Sequence, residues 1–117
     1  MLSNAPANVT LMVTDMSESI RFYTETLGLD LTVRHGDHWA EVAASGVTIG
    51  LHPGLAPEAR ATDPAMSIGF VVDDFDDALA GLEELGIRSD VTRTERACSA
   101  YFADPDGHSL YIHWRAS

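Results

Sequence analysis

His52 and His113 are the residues best suited to chemistry in this chain. Each lies six residues beyond a glycine, Gly46 or Gly107, that opens an apolar run. Imidazole changes charge nearest to neutral pH, so an equivalent pair suits three roles: a metal site completed by Glu41, a general acid and base, or hydrogen bonding to a ligand. The alternative is that each histidine closes a strand in solvent and does no chemistry. Trp39 and Tyr111 offer flat rings on which a planar or cationic ligand could stack, and Met12 offers an adaptable apolar contact, although aromatic residues in strands equally build cores. His35 and His38 flank a tight turn, a pattern of exposed polar residues more than of paired ligands. Cys98 has no activating partner in sequence and reads as inert. The chain has neither a glycine-rich phosphate loop nor a serine nucleophile elbow.

The elements that position these residues occur twice. Val9-Thr10-Leu11-Met12-Val13-Thr14-Asp15 and Ile68-Gly69-Phe70-Val71-Val72-Asp73-Asp74 are both apolar strands ending in acid, each followed by an amphipathic helix that closes on Leu-Gly. Asp15 and Asp74 are 59 residues apart, the two Leu-Gly pairs 58, and Gly46 and Gly107 61, so one unit is duplicated. In the first copy, residues 8 to 14 read as a strand and Asp15-Met16-Ser17-Glu18 as a cap. A helix then runs through about Thr26, with Ile20, Phe22, Tyr23 and Leu27 available to its buried face. Strands follow over 29–34, 39–43 and 47–51. In the second copy the strand is 67–72, the helix runs from Phe75 to Leu85 with Ala78, Leu79, Leu82 and Leu85 on one face, and weaker strands cover 88–93, 98–103 and 109–114. Asp104-Pro105-Asp106-Gly107 is a strong turn signal.

Composition narrows the function classes. A single domain of 117 residues buries a core without staples, and a lone cysteine allows no intrachain disulfide. The first residues carry no basic or apolar leader pattern, and no apolar run approaches the roughly 18 residues of a membrane span. The expectation is a soluble cytoplasmic protein with no membrane partner. A formal net charge of −11 argues against a nucleic-acid partner, because phosphate backbones are held by clustered Lys and Arg. It would favour a cationic ligand by long-range steering. The densest acidic run, Asp73-Asp74-Phe75-Asp76-Asp77, sits where a helix begins, and capping accounts for it.

Val13-Thr14-Asp15 with Ser19-Ile20-Arg21-Phe22-Tyr23 and Leu27-Gly28-Leu29, followed later by Phe102-Ala103-Asp104-Pro105-Asp106-Gly107, resembles the glyoxalase, bleomycin-resistance and extradiol-dioxygenase superfamily, also called vicinal-oxygen-chelate proteins. The resemblance covers nearly the whole chain. It implies an α+β fold of two tandem βαβββ modules, about 1–55 and 65–117 with a linker about 53–64, whose curved mixed sheets form a cleft, commonly within a homodimer. It also implies a metal in that cleft, held by His and Glu side chains of the first and fourth strands of each module. Carried over by motif, those positions hold Asn8, Gly50, Ser67 and Tyr111, none of them a good ligand for a divalent ion.

Strand parity says what the cleft contains instead. Thr10, Met12 and Thr14 share a face with Asn8, and Gly69 and Val71 with Ser67; Thr48, Gly50 and His52 form a third set, Ser109, Tyr111 and His113 a fourth, and Trp39 and Glu41 a fifth. With Asn8, Gly50, Ser67 and Tyr111 departing from the metal pattern, the first expectation is a metal-free, cofactor-free protein similar to the bleomycin-resistance branch. It would give antibiotic resistance by capturing a small organic molecule, with Met12, Trp39, Glu41, His52, Tyr111 and His113 lining the site and residues 52–64 as a flap. The rival is a lyase, isomerase or dioxygenase whose metal or acid/base groups are His52, His113 and Glu41. A third reading is an accessory domain that only dimerises.

Overall fold

Two aspartates start the helices of the two halves in the same way. In the computed structural model, which describes residues 7–56 and 65–117, Asp15 is extended and its carboxylate accepts from the Glu18 amide at 3.0 Å, while Asp74 accepts from the Asp77 amide at 3.0 Å. Each side chain satisfies an amide that a helix leaves unpaired in its first turn. Helices α1 (Met16–Arg21) and α2 (Phe75–Glu84) follow. The acidic run at 73–77 is thus a helix start, and its Asp76 also holds Arg93 at 2.7 Å, with that guanidinium 5.1 Å from the Phe75 ring centre.

The end of α1 widens into a π-helical turn, Phe22–Thr26, in which the Leu27 amide donates to the Phe22 carbonyl. The Thr24 hydroxyl donates to the Ile20 carbonyl at 2.7 Å, a local bond that competes with regular α winding. The helical stretch has the expected extent but a changed pitch, so Ile20 and Tyr23 are buried whereas Phe22 and Leu27 are half-buried. α2 ends in a Schellman arrangement: Gly86, at φ 76°, donates to Glu83 and Ile87 donates to Leu82. Leu85, expected on the buried face with Leu79 and Leu82, is 59% exposed, because it is the C-cap and the chain has already left the helical path.

The described residues also form eight strands: β1 (Asn8–Val13), β2 (Asp30–His35), β3 (Trp39–Ala44), β4 (Val47–Pro53), β5 (Ser67–Val71), β6 (Asp90–Arg93), β7 (Ala97–Ala103) and β8 (Ser109–Arg115). They form two four-stranded mixed sheets, ordered β1-β4-β3-β2 and β5-β8-β7-β6, with β1 parallel to β4 and β5 parallel to β8. The register repeats: Asn8, Thr10 and Met12 pair with Thr48, Gly50 and His52, as Ser67, Gly69 and Val71 pair with Ser109, Tyr111 and His113. The duplication read from sequence is therefore a duplication of hydrogen-bond register.

The chain divides into two compact units, Met1–Arg60 and Ala61–Ser117, each an α+β module with its own core. In the first, Val13, Ala40, Val42, Ile49 and Leu51 face Met16, Ile20 and Tyr23; in the second, Ala100, Phe102, Leu110 and Ile112 serve with Phe75, Leu79 and Leu82. The turn at Asp104 is tied by its own carboxylate, which accepts from the Asp106 and His108 amides at 2.9 Å each, with Gly107 at φ 87°. Residues 1–6 and 57–64, which include most of the expected linker and flap, lie outside the described residues. Among the described residues no helix is long and apolar enough to cross a membrane.

Because the two caps share one geometry, Asp15→Ala and Asp74→Ala are each expected to lower the unfolding free energy by about 1 kcal/mol. Urea titration followed by circular dichroism checks this: both midpoints fall with an unchanged slope. A variant with the wild-type midpoint would show that its cap contributes nothing.

Candidate functional site

In each unit the pleat turns alternate residues toward the helix and leaves the others on the opposite face. On that face of the first sheet stand Thr10 and Met12 from β1, Gly50 and His52 from β4, and Trp39 and Glu41 from β3, with Thr10 and Glu41 both paired to Gly50. Gly50 is buried although it has no side chain, because the Trp39 indole lies directly over it. A Cβ at position 50 would meet the indole carbons inside van der Waals contact and would lie 3.2 Å from the Thr10 hydroxyl. Trp39 Nε1 donates to Glu41 Oε2 at 2.9 Å, which fixes the ring over the glycine. The His52 ring stands edge-on to the indole at 6.3 Å. Its Nδ1 donates to the Pro53 carbonyl, so the neutral ring presents Nε2 as an acceptor. Met12 is 39% exposed beside them.

The second sheet reverses the arrangement. The ring here is Tyr111, on β8 at the position equivalent to Gly50, and the glycine beneath it is Gly69, equivalent to Thr10; a Cβ at 69 would collide with the phenol. Tyr111 stacks on Tyr101 with centroids 4.6 Å apart and planes 26° from parallel, and His113 continues the row at 5.3 Å. At the start of the strands the Ser67 hydroxyl donates to the Ser109 hydroxyl at 2.7 Å.

The residues implied as metal positions do not fit a metal. Gly50 brings no donor, and the space its side chain would need is filled by indole. Ser67 is hydrogen-bonded to Ser109, Tyr111 presents a stacked phenol, and Asn8 presents a neutral amide. Divalent ions require anionic oxygen or imidazole nitrogen to displace water, and this set supplies neither. Among the described residues, neither unit gathers three His, Cys, Asp or Glu side chains as a metal group would require.

Met12, Trp39, Glu41 and His52 are brought together on the first sheet, and Tyr111 and His113 on the second. His35 and His38 are exposed at the β2–β3 turn. Tyr101, and the covering of Gly50 and Gly69 by aromatic rings, escaped sequence reasoning. Their signal was available, since a glycine inside a strand marks a bulge or a close approach, and Gly50 and Gly69 are both mid-strand.

The model of the Glyoxalase/Bleomycin resistance protein/Dioxygenase superfamily matches residues 6–112. The chain belongs to this superfamily. The glutathione transferase FosA of Serratia marcescens is 30% identical over 114 residues, spanning 91% of this chain and 77% of that protein. Among solved structures, a glyoxalase/dioxygenase from Nostoc punctiforme is 25% identical with a TM-score of 0.78, covering 97% of this chain and 92% of that one. The fosfomycin resistance protein FosX from Listeria monocytogenes shares the fold at 18% identity, with a TM-score of 0.79 and coverage of 97% and 94%.

Gly50→Ala is expected to lose about 1–3 kcal/mol, because the added methyl must displace indole in a packed layer. In a Trp39→Ala background most of that loss should vanish, giving a coupling measurable by urea unfolding. Additive losses would mean that the indole does not depend on Gly50.

Proposed function

We propose that this chain is a metal-independent binding protein that sequesters a small organic molecule against the aromatic faces of its modules. The observation that carries the proposal is the Trp39 ring seated on buried Gly50, which puts contact surface where a ligand-bearing side chain would otherwise stand. Trp39 and Tyr111 supply area at little conformational cost, Met12 adapts to shape, and Glu41, His52 and His113 orient polar groups of the ligand. Capture protects by stoichiometry, so a micromolar Kd, about 8 kcal/mol of binding free energy, suffices when protein exceeds ligand. In this proposal the protein acts in the cytoplasm as a homodimer.

A second reading has its own support. The 30% identity to a glutathione transferase favours a metal-dependent enzyme, with His52, His113 and Glu41 as displaced ligands or acid/base groups. Fosfomycin, glutathione and an added divalent metal ion distinguish the two when thiol loss is followed against a protein-free control. Capture predicts no thiol loss above the control. Turnover that EDTA abolishes and His52→Ala removes would establish the enzyme.

The binding reading makes a prediction of its own. In a thermal-shift panel of small aromatic compounds run in EDTA, at least one compound should raise the melting temperature, because a ligand that prefers the folded state must do so. Trp39→Ala should shrink that ligand-induced rise. If no compound shifts the protein, the accessory-domain reading prevails.

A further inference from the structure

The second unit contains a groove of about 290 Å³ whose lining differs in charge from the rest of the molecule. The chain has 18 acidic residues against 7 Lys and Arg. Among the described residues, no Asp or Glu lines this groove. Its wall is the Tyr101, Tyr111 and His113 row, its polar lining includes the hydroxyl residues Thr92 and Ser99, and Arg115 borders it at the end of β8. The register explains the grouping: Thr92 pairs with Ser99, Ser99 with His113, and Tyr101 with Tyr111, so these side chains project from neighbouring strands on one face.

The surrounding charges are accounted for elsewhere. Asp90, which pairs with Tyr101, lines an adjoining and more open groove near Arg88 and not this one. Arg93 is held by Asp76. Among the described residues Arg115 forms no ion pair. With Arg115 on the lining and no carboxylate among the described lining residues, the aromatic wall has a cationic end. The volume, at the small end of ligand pockets, suits one or two rings.

We infer that this groove takes a planar organic anion, its ring laid on Tyr111 and Tyr101 and its carboxylate or similar acid at Arg115. The inference rests on reading the chain as a small-molecule-binding protein and specifies the ligand class for the second unit. It reverses the preference that net charge alone suggests. The overall −11 sets the field far from the surface, whereas contact selectivity is set by the groups that line the groove.

The probes are naphthalene-2-carboxylate, naphthalene-2-carboxamide and 2-naphthylmethylammonium, matched in ring area and different in charge. Calorimetry gives their affinities, and backbone amide NMR shifts locate them. The expected order places the carboxylate about fivefold to tenfold tighter than the amide, with the ammonium weakest, and with shifts centred on Tyr101, Tyr111 and His113. Arg115→Gln should remove the carboxylate's advantage while leaving the amide's affinity unchanged, and the exposed Arg96→Gln should change neither. Three equal affinities, or a carboxylate advantage that survives Arg115→Gln, overturns the charge assignment and leaves small-molecule binding standing. If none of the three probes binds, the groove is no aromatic site, and the binding reading of the second unit falls with it.

Discussion

The structure depends on a contact between an aromatic ring and a strand backbone that has no side chain in the way. Trp39 reaches Gly50, and Tyr111 reaches Gly69, only because a missing Cβ lets the ring lie on the sheet. Any larger residue at either glycine would push the ring off the sheet. The rings therefore determine what the face can do. They give the face broad apolar contact area where directional electron-pair donors would otherwise stand.

The two units reach that result by different routes. In the first the covered glycine is on β4 and the ring comes from β3; in the second the glycine is on β5 and the ring comes from β8. A duplicated register with non-equivalent residues means that the same backbone frame carries two dissimilar surfaces. One has an indole tied to Glu41 with an imidazole acceptor beside it, and the other a tyrosine stack with no acid on its groove. The frame fixes positions, and side-chain size at a few pairs of positions decides the chemistry.

Much of this frame was legible in the sequence because it is local. Asp15 and Asp74 cap within three residues, the turn at Asp104 closes on its own carboxylate, and a period of two sorted Thr10, Met12, Gly50 and His52 onto one face. What was not legible depends on contacts between strands. That Trp39 covers Gly50 follows from the β3–β4 register together with a rotamer pinned by Glu41, and no spacing in the chain encodes that rotamer. The Tyr101 partner of Tyr111 was missed for the same reason, being ten residues away in sequence and opposite it across a strand pair. Leu85 was misplaced because helical periodicity continues on paper past the point where Gly86 reverses the chain.

The central claim is that aromatic packing replaces metal coordination. The most direct measurement is native mass spectrometry of the protein purified without chelators, with metal content read by elemental analysis of the same sample. The account predicts a mass free of stoichiometric divalent metal, with any retained adduct being organic. One divalent ion per chain, lost when His52, His113 or Glu41 is replaced, would contradict it.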